Sequence, residues 1–166
     1  EIMLKIKPLS LNEDVHEYHL LQQMGSNENG FNNDMFGASL SEYKTWLEVE
    51  TDAAMGCNLA VGYVPRSTYW LIDDSDMPVG IGRIKHDLTP AMLENSGHIA
   101  YAIGQQYRSR GYGQTLCQLL VDECRQFKIN PVQVTVEQEN KDSNKIVQHV
   151  GGVLVGRFGD LNIYQI

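Results

Sequence analysis

The sequence predicts a mixed α/β fold on three observations. Short alternating apolar runs, the signature of strands, are interspersed with longer runs whose apolar residues recur at helical spacing. Read in order, these runs give β, α, α, β, β, β, α, β, α, β, β with no linker-like stretch between them. In the second half, a strand over 97–103, a glycine-bearing turn, a helix and a strand over 132–137 form a βαβ unit, which a sheet normally accepts as a right-handed parallel crossover. At 166 residues the chain can build one substantial core, so the expectation is a single domain over 1–166.

Each element has a local reason. Met3-Leu4-Lys5-Ile6-Lys7-Pro8 alternates and stops at proline, as a first strand would. Over 12–24, Val15, Tyr18, Leu21 and Met24 share one helical face, with Asn12 or Asp14 near the start. The stretch 25–37 is rich in Asn and Gly and reads as a loop. Its Phe31 and Phe36 either cover a substrate or pin the loop down. A second helix over 41–55 has Tyr43, Trp46 and Leu47 on its apolar side and is acidic through Glu42, Glu48, Glu50 and Asp52. Thr68-Tyr69-Trp70-Leu71-Ile72 is β-branched and aromatic, hence a strand, and 78–84 returns after the Asp73-Asp74-Ser75-Asp76 turn. The stretch 88–95 reads as a loop or a short helical turn starting near Thr89-Pro90. After the βαβ unit, a short helix over 142–150 stops at Gly151-Gly152, and two closing strands form a hairpin across Gly159-Asp160.

Composition excludes some functions. A net charge of -8 argues against a nucleic-acid surface, which needs a basic face. That charge is compatible with a cationic acceptor such as an amine, though a solvated acidic surface accounts for most of it. No run of roughly eighteen apolar residues occurs and no secretory pattern opens the sequence, so a cytoplasmic location without a membrane span is expected. Cys57, Cys117 and Cys124 form no CxxC, and core packing explains them better than a disulfide. Five scattered histidines have no ligand spacing, so no metal is expected.

The most informative stretch is Arg108-Ser109-Arg110-Gly111-Tyr112-Gly113-Gln114, between the strand over 97–103 and a helix carrying Leu116, Cys117, Leu120, Cys124 and Phe127. The first turn of a helix presents unpaired N–H groups and a partial positive charge, so such a turn can hold a phosphate or pyrophosphate. A P-loop would need Lys-Ser/Thr after the glycines, and none follows. A dinucleotide fingerprint would need a third glycine where Leu116 stands, although Glu137 lies roughly where a ribose-binding acid belongs. A glycine-started helix with no ligand is the bland alternative.

Arg108-x-x-Gly111-x-Gly113 also resembles the pyrophosphate loop of the GNAT superfamily of acyl-CoA-dependent N-acetyltransferases. The element order is similar to that family over essentially the whole chain. Asn140-x-x-Ser143 after the strand ending at Glu137, and the helix end leading into Gly151, support the resemblance. It implies a twisted mixed sheet of six to seven strands with helices on both faces, acetyl-CoA as co-substrate, and an acceptor that is a small-molecule or peptide amine. A homodimer is a candidate assembly. In such a protein the pantetheine arm lies between the strands over 97–103 and 132–137, which splay apart. Backbone groups of Tyr101, Ala102 and Ile103 hold that arm, and Asn140 meets it. The pyrophosphate rests on Arg108, Ser109, Arg110, Gly111, Tyr112, Gly113 and Gln114.

Within the resemblance, the attacking amine must first lose a proton, because an ammonium has no lone pair. Glu137 and His98 are the candidate bases. Glu137 reads equally as a solvated strand-end acid, and His98 as a hydrogen-bonded core histidine. His86 is a weaker candidate, and a dipole contact at a helix end suffices for His149. Ser143 could give the leaving thiolate a proton or use its hydroxyl at the helix start. Many family members carry a tyrosine acid four residues after that position, where this chain has Val147. The departure leaves a non-catalytic acyl-CoA sensor as a second reading, beside a dinucleotide-dependent oxidoreductase.

Overall fold

The computed structural model describes residues 2–28 and 30–166; residue 29, inside the stretch read as a loop, lies outside them. In chain order the elements are β1 (Lys5–Pro8), α1 (Val15–Gln23), β2 (Asn27–Glu28), β3 (Phe31–Asn32), α2 (Leu40–Ala54), β4 (Arg66–Ile72) and β5 (Pro78–Lys85). They continue as α3 (Pro90–Asn95), β6 (Ile99–Ile103), a 3-10 turn (Gln105–Tyr107), α4 (Tyr112–Gln126), β7 (Gln133–Glu137), α5 (Lys141–His149), β8 (Val153–Phe158) and β9 (Leu161–Gln165). The α/β class and the order of the expected elements hold. The described residues contain nine strands rather than six or seven, because the Asn- and Gly-rich stretch includes the two-residue hairpin β2–β3.

The helices begin where side chains satisfy their first amides. Asp14 caps α1, accepting from the Val15 amide at 2.6 Å. Ser39 and Glu42 make a reciprocal capping box at α2. Thr89 caps α3, with proline following it.

The strands form two principal sheets, ordered β1-β4-β5-β6 and β7-β9-β8. Every ladder among the described strands is antiparallel. The crossover expected over 97–137 therefore does not end in a parallel ladder. Instead β6 and β7 touch at one end, where the His98 amide donates to the Gln133 carbonyl at 2.7 Å. Beyond that point they diverge, and the gap between them is a cleft.

Alternation on β4 divides the core. Tyr69 and Leu71 join a cluster with Leu116, Leu120 and Cys124 of α4 and Val134 and Val136 of β7. Trp70 and Ile72 face the other way, onto Leu20 and Leu21 of α1 and Tyr43, Trp46 and Leu47 of α2. With both faces covered, a strand reads as a continuous apolar run, as 68–72 does. Trp70 is fully buried and donates its indole N–H to Glu13 at 2.9 Å. Phe31 belongs to this second cluster and is buried, so it pins its hairpin down, whereas Phe36 is exposed.

Candidate active site

Two clefts meet between the sheets. The first, of about 350 Å³, runs between β6 and β7 and is lined by His98, Tyr101, Val136, Glu137 and Ser143 among others. The second, of about 420 Å³, is lined by 101–103, the turn before α4 and Ile146. Tyr101 and Ser143 line both, so the openings join there.

The turn before α4 is built to expose backbone donors. Ser109 and Gly111 both have left-handed backbones, at φ 63° and 80°. Gly111 is the N-cap residue of α4, and no side chain caps that helix. A Cβ at Gly111 would meet nothing within 4 Å, so the conformation rather than crowding calls for glycine. These features fit a pyrophosphate: amides without internal partners, at the positive end of a helix, opening into a cleft. Arg108 itself is engaged elsewhere, with its guanidinium paired to Glu28 and bonded to the Ile103 carbonyl. Arg110 lies over the Tyr107 ring and makes no ion pair among the described residues.

On β6, bonds to β5 use one edge and the cleft borders the other. The Ile103 carbonyl accepts from Arg108 at 3.4 Å, which places it on the free edge. Antiparallel alternation puts Tyr101 on that same edge and turns the Ala102 backbone toward β5. Of the three residues expected to hold a pantetheine arm, Tyr101 and Ile103 turn their backbone groups to the edge away from β5, with the Ile103 carbonyl already bonded to Arg108. The Tyr101 hydroxyl is buried without a hydrogen-bond partner, and burial raises its pKa well above the ordinary phenol value.

His98 sits just before β6 rather than in mid-strand. Its Nδ1 accepts the Gln133 amide at 2.9 Å. A backbone N–H can only donate, so the neutral ring carries its hydrogen on Nε2. Burial, with a smaller contribution from Lys85, lowers its pKa against the opposing pull of Asp87. Gly97 allows the strands to meet here: a Cβ would lie 2.8 Å from the Gln133 carbonyl oxygen and 3.0 Å from Val134 Cα. Glu137 ends β7, is exposed, and makes no ion pair among the described residues.

Asn140 departs from its expected place. It lines neither of the two joined clefts, and its side chain caps α5 by accepting from the Ser143 amide at 3.1 Å. The Ser143 hydroxyl is left facing both clefts. Val147 is fully buried in the α4 cluster and lines neither cleft, so this side of α5 passes from the clefts at Ser143 into the core one turn later. His86 bonds Ser67 at 2.7 Å and stacks on Phe127, and neither His86 nor His149 lines either of the two joined clefts.

Sequence reasoning missed Asn144. Its carboxamide accepts from Tyr164 and Asn162 at 2.6 and 2.9 Å and donates to the Glu137 and Asn140 carbonyls at 3.0 and 2.7 Å. It ties α5 to β7 and β9 and fixes the strand end that carries Glu137. An Asn inside a helix, where its propensity is poor, was the available signal. Among the described residues no group of three or more His, Cys, Asp and Glu could hold a metal ion, and no helix is long and apolar enough to cross a membrane.

The family comparison agrees with this geometry. The acetyltransferase (GNAT) domain family matches residues 4–153, and the chain belongs to that family. Membership makes it an acyltransferase that uses a CoA thioester. Among solved structures it is similar to a ribosomal L7/L12 α-N-protein acetyltransferase in complex with coenzyme A, at 15% identity, covering 100% of this chain and 97% of that one, with a TM-score of 0.73. It is also similar to a ribosomal-protein-S5-alanine acetyltransferase from Vibrio fischeri, at 13% identity, 98% and 91% coverage, and a TM-score of 0.68. A spermidine N-acetyltransferase chimera from Vibrio cholerae and the human enzyme gives 13% identity, 98% and 94% coverage, and a TM-score of 0.67. At these identities the likeness concerns the fold. No curated protein sequence matches the chain.

Proposed function

We propose that this protein transfers an acetyl group from acetyl-CoA to a primary amine by direct attack, the amine belonging to a small molecule or a peptide. The observation that carries the reading is the gap between β6 and β7, which opens onto the uncapped N-terminus of α4. Acetyl-CoA, when bound, supplies the thioester carbonyl. The amides of 109–114 receive its pyrophosphate, and the free edge of β6 at Tyr101 and Ile103 receives the pantetheine as an added strand would be received. An N–H on that same edge also meets the oxygen that becomes negative during attack.

Glu137 takes the amine proton, directly or through water, because its carboxylate faces the first cleft unpaired. His98 is assigned a positioning role: with Nδ1 committed to Gln133, its cleft-facing nitrogen is a donor and not a base. Ser143 faces both clefts and can donate to the departing thiolate, which is a tolerable leaving group unaided because a free thiol has a pKa of about 8.5.

Thermal unfolding with acetyl-CoA and with NADH tests the assignment. A ligand that binds only the folded state stabilises it by about 2.7 kcal/mol at a hundredfold excess over its Kd. Acetyl-CoA should raise the Tm, NADH should not, and thiol release should follow when amines are added. No Tm shift with acetyl-CoA refutes the co-substrate. A shift without thiol release across a broad amine panel favours an acyl-CoA sensor.

A further inference from the structure

The acceptor side of the cleft carries more cations than the chain neutralises: Arg66 and Arg83 share the one carboxylate of Glu50, and Lys85 has none. Arg83 and Lys85 are two apart on β5, so they share the face that looks toward α1 and α2. Both line the cleft between β6 and β7 and an adjoining one of about 340 Å³, and Asn32 also lines both. The Arg83 side chain is only 16% exposed, yet its guanidinium donates no hydrogen bond within the described residues. Its Nε is buried without a partner, and its Nη2 stands 3.6 Å from Glu50 Oε1, beyond hydrogen-bond range. The Phe31 ring lies 4.9 Å from the guanidinium and holds it from one side.

Glu50 does not satisfy this group, because Arg66 already holds it in a fork, at 2.9 Å to Oε2 and 3.4 Å to Oε1. Asp34 is exposed on the rim of the adjoining cleft and makes no ion pair with Arg83. Lys85 makes no ion pair at all among the described residues. Burial and the like charges of Arg83 and Arg66 push its pKa down. A partly desolvated cation whose donors are left unsatisfied is costly, and a bound anion would offset that cost.

We propose that Arg83 and Lys85 form an anion subsite beside the transfer cleft, and that the acceptor is an amine bearing a carboxylate a few bonds from its nitrogen. An amino acid or a peptide with an acidic first residue has this chemistry; a polyamine has the opposite charge. The spacing fits, because Arg83 pairs across the sheet with Ala100, the residue before Tyr101, one strand step of about 3.3 Å away. The inference rests on the acetyl-transfer reading, which places the reacting carbonyl along β6.

Binding of product-like ligands tests it without turnover. N-acetyl-L-aspartate and its diamide form one matched pair, and acetyl-Asp-Ala-Ala-amide and acetyl-Asn-Ala-Ala-amide form a second that separates amino acid from peptide. The acid of at least one pair should raise the Tm of the wild type and bind at least ten-fold tighter than its neutral partner by calorimetry. Lys85→Gln should bring that ratio toward one, with folding checked by circular dichroism. N-acetylspermidine should bind no better than the neutral ligands. Equal binding of acid and neutral partner, an undiminished ratio in folded Lys85→Gln, no binding by any acid, or preferential binding of N-acetylspermidine overturns the subsite. Should Lys85→Gln fail to fold, the wild-type ratio decides. A parallel acetyl-CoA arm keeps the two readings apart: acetyl-CoA binding without acid discrimination removes only the subsite, and acid binding without acetyl-CoA binding removes the transfer reading.

Discussion

Gly97→Ala should separate the two sheets at the point where they join. The backbone of Gly97 is not in the left-handed region, so alanine is allowed there in isolation and would by itself stabilise by about 0.4–1 kcal/mol through the unfolded chain. The contacts reverse the sign. The new Cβ would stand 2.8 Å from the Gln133 oxygen and 3.0 Å from Val134 Cα, both backbone atoms that no rotamer change can move. Relief requires β7 to move away by about 0.5 Å. That movement stretches the His98 to Gln133 amide bond at 2.7 Å and the Gln133 to His98 imidazole bond at 2.9 Å. Taking ~1–3 kcal/mol for overpacking and ~0.5–1.5 kcal/mol per bond, the cost is about 2–6 kcal/mol, a large fraction of a domain's stability. Urea unfolding measures it, and calorimetry with acetyl-CoA reports whether the altered gap still binds; a Kd at least ten-fold weaker is expected. A loss below about 0.5 kcal/mol with an unchanged Kd would refute the view that this junction sets the cleft.

Three further outcomes are expected. Gly111→Val should weaken acetyl-CoA binding at least ten-fold while the protein still folds, the left-handed backbone costing about 1–2 kcal/mol; Gly111→Asn, which tolerates that backbone, separates strain from obstruction, and unchanged affinity in both would make the turn a mere helix start. Glu137→Gln should lower kcat/KM by about 10²–10⁴-fold near neutral pH, with the deficit shrinking toward the pKa of the amine, and a small loss at every pH would remove Glu137 as the base. Burial lowers the pKa values of His98 and His86 in the folded state, so the unfolded chain binds more protons between the folded values and about 6.5, and stability should rise with pH across that window and fall on acidification. Urea midpoints across the window should show a shallower slope in His98→Gln, which keeps an acceptor but does not titrate; an unchanged slope would place the acid sensitivity elsewhere.

What the sequence revealed depended on how local each signal is. Alternation over 132–137 and the helical period of Leu116, Leu120 and Cys124 are written in consecutive residues, and both elements are present. The hairpin β2–β3 has two residues per strand, too few to show a period. The pattern Asn140-x-x-Ser143 was legible as a motif but ambiguous in meaning, because an Asn three residues before an amide it can reach is also a helix cap. Arg83 and Lys85 look like ordinary polar residues near the end of a strand. Their character comes from α2, which brings Glu50 to Arg66, and from the hairpin that slides Phe31 beneath the guanidinium. Neither contact leaves a mark in the local sequence.

If Arg83 and Lys85 form the proposed subsite, net charge is a poor guide to the acceptor. A total of -8 suggests a protein that attracts cations. Charges on the outer surface act through water and salt and are largely screened beyond about 8–10 Å. A cleft wall is governed by the few groups that water reaches poorly. On the wall formed by β4 and β5, Arg66, Arg83 and Lys85 face Glu50 and the rim residue Asp34. Glu50 is held by Arg66, so an approaching acceptor meets Arg83 and Lys85 first. On the proposed subsite, a polyamine drawn in by the distant acidic surface is repelled there, whereas a carboxylate completes the coordination of both cations. The long-range field and the local site thus favour opposite partners, and close-range desolvated contacts outweigh screened distant ones in deciding which molecule stays bound.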